Sequence, residues 1–282
     1  MLFRSFTQSS TRSAADRVRL NFHFSDRALA IVAGGLVVAG VFALGVWIGR
    51  KSGRTSEAFA KIEDARVQVI EASTTPASGA DRLKEFKATL GEAAEKMSET
   101  ERKPLLAAQE LVARIQPQMA AYEASLAALS KARYVAPASI DTQEEIRARI
   151  ALVQRFDEAN GAMIRYFKNA ERDYRATLDK LGVAENLKAG VIEGFRRGGN
   201  FDLNLKIHES NRQLAASMEE MLKLLNREWG AWRTNEKGDT IFDHEDAVKE
   251  FETLQGKLTA AAKSHEAAER KLIERAAKSK TP

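Results

Sequence analysis

The chain contains no cysteine, five prolines and four histidines among its 282 residues. The first absence removes disulfides, thiolate nucleophiles and thiolate metal ligands; it permits an oxidising compartment without indicating one. Scarce proline leaves long stretches free to be helical. Alternation of period two is also missing, outside Thr240, Ile241 and Phe242, so little or no sheet is expected.

The four histidines are His23, His208, His244 and His265. A carboxylate-bridged di-metal bundle needs Glu and His three residues apart on one helical face. The residues three before His208, His244 and His265 are Leu205, Ile241 and Ala262, so that motif is absent. The cluster Asp243, His244, Glu245, Asp246 reads as the capped start of a helix, where acids complement the helix dipole, and His265 reads as a packed bundle residue. No serine sits on a strand-to-helix elbow, and the Gly194 to Asn200 segment lacks the strand and lysine of a nucleotide loop. Arg196 and Arg197 therefore read as the end of a helix and not as an anion site. No catalytic residue, metal ligand or cofactor site is assigned. An enzyme would require a buried cluster of polar and titratable side chains, which the apolar stripes do not predict.

What is present begins with 22 uncharged residues, Ala28 to Gly49, bounded by Arg27 and by Arg50, Lys51 and Arg54. At about 1.5 Å per residue they reach roughly 33 Å, enough for a hydrocarbon core of about 30 Å. A helix apolar on every side belongs in lipid or in a very large core. A cleavable signal peptide competes, with small residues at Ala43 and Gly45. The length of the run and its basic end favour a single-pass transmembrane helix, with Trp47 as an interfacial anchor. Small residues recur every four positions, and Gly45 with Gly49 is the candidate dimer face. The basic counts on the two flanks are nearly equal. Five arginines before the span favour a cytoplasmic N-terminus and an extracytoplasmic C-terminal domain at the cell membrane.

The charge distribution qualifies the isoelectric point of about 9.3. Residues 1–54 hold 8 basic and 2 acidic residues and residues 271–282 hold 4 and 1, leaving 32 basic and 36 acidic in the body. A mildly acidic body argues against nucleic acid as a partner, and basic residues beside the span suit anionic lipid.

The body reads as amphipathic helices. Leu105, Ala108, Val112, Ile115, Met119, Tyr122, Leu126 and Leu129 fall at three- and four-residue steps, with Ser98 and Glu101 as a capping box and Pro117 as an expected kink or break. Asp141 and Glu144 open a second long helix whose stripe runs from Ile146 to Leu181 and stops at Gly182. A short helix to Arg196 ends at Gly198, Gly199 and Asn200. A third stripe, Ile207, Leu214, Met218, Met221, Leu225 and Trp232, is interrupted by Asn211 and Glu228. The last helix starts at Asp243 and carries Phe251, Leu258, His265 and Leu272.

The expected fold is all-α: a transmembrane helix followed by an elongated antiparallel helical bundle rich in coiled-coil spacing. The divisions are a basic tail 1–27, the span 28–49, a juxtamembrane helix and linker 50–81, the bundle 82–270 and a basic tail 271–282. Trp229 and Trp232, three apart on one expected helical face, with Ile241 and Phe242 returned toward them by the turn at Asn235 to Asp239, form a packed corner or a partner-binding patch. The expected role is a non-enzymatic scaffold, adaptor or assembly component of a cell-envelope complex. Its partners would be the bilayer, proteins of unknown identity and a second copy of the chain. The alternative is a ligand-binding or sensory bundle signalling through the span.

Overall fold

The computed structural model describes residues 79–131, 136–236 and 238–278. The segment 28–49 expected to cross a membrane, with Gly45 and Gly49, lies outside them, as does the linker expected before residue 79. Among the described residues no helix is long and apolar enough to cross a membrane. They form an all-α fold of six helices: α1 Gly79–Glu95, α2 Glu99–Lys131, α3 Gln143–Lys180, α4 Glu185–Gly198, α5 Phe201–Arg227 and α6 Glu245–Lys278. A short 3₁₀ turn, Pro137–Ser139, precedes α3, and a two-stranded hairpin, β1 Trp232–Thr234 with β2 Thr240–Phe242, joins α5 to α6.

The extensive helix pairings follow chain order: α1 on α2, α2 on α3, α3 on α5 and α5 on α6, with α4 a short excursion against α3. Neighbours run in opposite directions. Gln109 Nε2 near the start of α2 donates to the Lys87 carbonyl, while Glu123 further along accepts the N–H of Gly79 at the beginning of α1. The same reversal places Tyr174 Oη against the Pro104 carbonyl, Gln154 against Glu219, and Arg227 against Glu250. Amphipathic helices joined by short connections reach this arrangement because each buries its stripe on the helix just completed.

The stripes read from sequence are the faces that become buried. Leu105, Ala108, Val112, Ile115, Met119, Tyr122 and Leu129 are buried on α2, with Leu126 partly covered. They meet Leu83, Phe86 and Leu90 of α1 and Ile146, Val153, Phe156, Met163 and Tyr174 of α3 in one contiguous core.

Local signals fix the element ends, with four corrections. The box that starts α3 is Thr142 with Glu145: Glu145 N–H donates to Thr142 Oγ1, and the Glu145 carboxylate accepts from the Thr142 N–H, one residue later than the Asp141 and Glu144 expected. Asp141 also offers its backbone N–H to Glu145, so one carboxylate accepts from two successive amides of the turn. The second correction is Pro117, through which α2 runs without a break. Interior proline costs about 3 kcal/mol of helix, but Ile115 and Met119 beside it are fully buried, and packing on both neighbours outweighs the lost hydrogen bond.

Third, α5 ends at Arg227, so Trp229 and Trp232 do not share a helical face. Trp229 lies in the turn and Trp232 opens β1, paired in register with Phe242. Fourth, the His244 carbonyl accepts the first bond of α6, from Val248, so the cap is His244, one residue after the expected Asp243, and the helix begins at Glu245. At its other end α6 continues to Lys278, through most of the segment read as a basic tail.

The Gly182 stop is a Schellman motif: Val183 N–H reaches the Leu178 carbonyl and Gly182 N–H reaches Asp179, with Gly182 at φ +63°. Gly199 is required for a different reason, because a Cβ there would lie 2.0 Å from the Phe201 ring. Asn200 then takes the left-handed conformation, φ 43°, and α5 begins.

Candidate functional site

The corner singled out from sequence is a packed one with an exposed edge. Trp232 Nε1–H donates to the Leu225 carbonyl at 2.9 Å, its ring meets Trp229 edge-to-face at 5.7 Å, and Phe242 leans on Phe251 at 5.2 Å. Trp229 keeps 39% of its surface exposed, while Trp232 and Phe242 are partly buried against the main core. Around it the charges are paired locally: Asp243 with Arg233, His244 with Glu228 and Glu245 with Lys249. Hydrogen bonding to Glu228 raises the His244 pKa above the ordinary value. Those acids therefore face separate cations and do not converge on one point. Arg196 and Arg197 are likewise engaged, by Glu171 and Glu193.

The arrangement with most chemical content lies elsewhere, where α5 crosses its neighbours. On α5, Asn204, His208 and Asn211 follow each other by four and three residues, so they share one face, and all three are fully buried. On α6, His265 and Glu269 are one turn apart and also buried. Tyr122 of α2 and Asn160 of α3 complete a polar seam inside a helical body. The apolar stripes did not predict it.

Geometry fixes the state of His208. Asn160 Nδ2 donates to the His208 backbone carbonyl at 2.8 Å, so its amide oxygen is the atom 2.7 Å from Nδ1. An amide oxygen only accepts, hence Nδ1 carries the proton and Nε2 presents a lone pair. The ring is wedged between Phe167, stacked at 5.4 Å, and Tyr122, edge-on at 5.3 Å. Tyr122 Oη in turn accepts from Asn211 Nδ2 at 2.8 Å. Asn204 Nδ2 turns back to the Asn200 carbonyl at 3.0 Å, closing the start of α5.

Five atoms of this seam are buried without a hydrogen-bond partner: Asn204 Oδ1, His208 Nε2, Asn211 Oδ1, His265 Nε2 and Glu269 Oε1. Each such atom ordinarily costs about 1–3 kcal/mol. Burial, reinforced by the neighbouring His265, lowers the His208 pKa to about 3. Burial alone lowers His265 to about 4, and burial with nearby Glu266 pushes the Glu269 carboxyl up to about 7.

Chemically this is a poor catalytic centre at neutral pH. A general base works best with a pKa near the operating pH and with a carboxylate behind its N–H; His208 has an amide there and is a far weaker base. Among the described residues no three His, Asp or Glu side chains form a metal-holding group. The seam can specify which helix faces meet, and it can take up protons.

The sequence marks Asn211 as an interruption of its stripe and His265 as a seam residue. It does not mark Asn160, Asn204, His208 and Glu269 as members of one cluster. The available signal was the spacing 204, 208, 211 of amide and imidazole side chains. These dimensions define an all-α helical-bundle protein with a polar layer through one side. No protein-family model matches the chain, and no curated protein or solved structure does either.

Proposed function

We propose that this chain is a single-pass membrane protein whose elongated helical body serves as a scaffold or adaptor of a cell-envelope complex, without catalysis. The observation that carries the reading is the uncharged run Ala28 to Gly49 with basic residues on both sides. It supplies the length for one crossing and leaves the amphipathic helices outside the lipid. The bundle suits the role because its long helices carry mixed charge on their outer faces, and Trp229 offers an aromatic edge of the kind enriched at interface hot spots. The N-terminus is cytoplasmic and the body extracytoplasmic in this reading, with Gly45 and Gly49 at a helix dimer face.

The test is extraction and topology of the full chain. The protein stays in membranes after alkaline carbonate washing, and a C-terminal reporter is active only outside the cytosol. Release into the wash would overturn the anchor, and cytosolic activity would overturn the orientation. Site-specific crosslinking from position 229 in membranes should capture a discrete protein partner; failure to capture any would count against the adaptor role.

A second reading has one specific observation in its favour. A sensory or ligand-binding bundle would contain buried polar groups within its core, as the seam around His208 does.

A further inference from the structure

We propose that the seam between α5 and α6 is a proton-operated latch: protonation of His208 and His265 releases the C-terminal half of α6, about residues 264–278, while the rest of the bundle stays packed. The latch does not depend on the anchoring role.

The case rests first on how α6 is held. Its first half enters the main core through Ala247, Phe251, Leu254, Leu258 and Ala261. Its second half does not. There the apolar contact is a separate cluster of four buried residues, Leu203 and Ile207 from α5 with Ala268 and Leu272 from α6. Between the two lies the polar layer: Ser210 with its Oγ 3.0 Å from Ser264 Oγ, then His208, Asn211 and His265, while Glu269 lies one turn further on, between Ala268 and Leu272 of the small cluster. The exposed end is tied by Arg275 to Asp202 at 3.2 Å and to Asn200. Surface pairs of this kind contribute little.

The second element is what surrounds the imidazoles. His208 faces the Tyr122 phenol from α2, Asn160 and Phe167 from α3, and His265 from α6. The nearby charged pairs between α3 and α5, Asp157 with Arg212 and Lys168 with Glu209, are half-exposed. On α6 the flanking titratable groups are Glu266 and Glu269. Among the described residues neither imidazole forms an ion pair. A proton on either ring is thus buried without a counter-ion, and protons on both repel across the α5–α6 interface. The latch requires that opening admit water to both rings, to His208 through its unpartnered Nε2 edge, and so return them to their ordinary value.

The signs follow from linkage. Both imidazoles have depressed values in the closed form, about 3 and 4 against 6.5, so their contribution to closure is present above pH 6.5 and is lost as pH falls. Glu269 is raised, about 7 against 4.5, so its contribution is present below 4.5 and is lost as pH rises through 7. Glu269 therefore buffers the latch. Together these values make the opening ratio nearly flat from pH 6.5 to 8 and about tenfold larger at pH 5 than at pH 7.5. Without Glu269 the same step becomes several hundred-fold, on the order of 10³ at most, and without His265 it disappears.

Hydrogen–deuterium exchange on the full chain in detergent micelles, corrected for intrinsic exchange at each pH, reads the opening ratio peptide by peptide. Protection of residues 264–278 should fall about tenfold between pH 7.5 and 5 while α2 keeps its protection. Glu269→Gln should steepen that fall, and His265→Leu should abolish it. Unchanged protection of 264–278 at pH 5 would overturn the latch, as would equal loss in α2, which would mean global acid unfolding. If His208→Gln fails to fold, the Glu269→Gln and His265→Leu pair still decides: identical pH profiles for the two would refute the proposal.

Discussion

The α1–α2–α3 side of the molecule and the α5–α6 end are built from the same kind of helix but closed by different means. Between α1, α2 and α3 the buried faces are almost wholly apolar: Phe86, Leu90, Leu105, Leu111, Ile115, Val153 and Tyr174 interlock. Between the start of α5 and the end of α6 the covered surface is mostly amide, imidazole, hydroxyl and carboxyl, with four apolar residues beside it. An apolar interface gains strength with area but tolerates sliding by a turn. A polar one is weaker and accepts fewer alignments, because each misplacement strands a buried donor or acceptor. Asn160 makes the point: it contacts both the ring and the backbone of His208, so α3 and α5 have one register in which both bonds form.

That contrast can be broken experimentally at several strengths. Leu111→Ala, in the apolar side, is expected to cost about 3–5 kcal/mol in urea unfolding with the slope unchanged, because the surrounding helices cannot close the cavity. Asn160→Ala should cost about 1–3 kcal/mol, since it leaves the buried His208 Nδ1–H unpaired and removes a second donor from the His208 carbonyl, which keeps its helical bond. The ¹⁵N shifts of the imidazole should then lose their single Nδ1–H tautomer; an unaltered tautomer would remove Asn160 as its cause. Leu272→Ala, the same chemical deletion as Leu111→Ala, should cost only about 1–2 kcal/mol and act mainly on exchange in residues 264–278, its small cluster collapsing more readily. Equal costs for the two leucines would erase the distinction between the regions. The smallest effect belongs to Trp229→Ala, within about 0.5 kcal/mol for a side chain 39% exposed, measured by thermal unfolding.

How far the sequence foretold this division depends on which residues are considered. The α2 stripe from Leu105 to Leu129 was legible because its apolar side chains repeat at helical spacing and the repeat is what burial requires. Helix ends at Gly182 and Gly199 were legible for a local reason, as both mark backbone that a Cβ would strain or obstruct. The capping acids before α3 were visible, yet two adjacent candidates at 141 and 142 cannot be ranked by spacing alone. The seam was not legible. In a single helix Asn211 is only a break in an apolar stripe, and nothing local joins it to Asn204 and His208; their burial comes from α2, α3 and α6, segments up to about 90 residues away in sequence. Pro117 misled in the opposite sense: a local breaker was overruled by contacts that local rules do not contain. Trp232 misled because the stripe of α5 continues in spacing after the helix has ended.

The pairing of each long helix with the one before it also bears on how the chain acquires its structure. Each extensive contact joins a long helix to the long helix before it, with only the short α4 intervening between α3 and α5, so the entropy of closing each loop is modest. A chain emerging from the ribosome can lay α2 on α1, then α3 on α2, then α5 on α3, adding one hairpin at a time in the order of synthesis. The polar layer comes last in that order. His265 and Glu269 arrive only after the scaffold that will bury them is complete, which leaves the water-demanding side chains solvated until their final contacts exist.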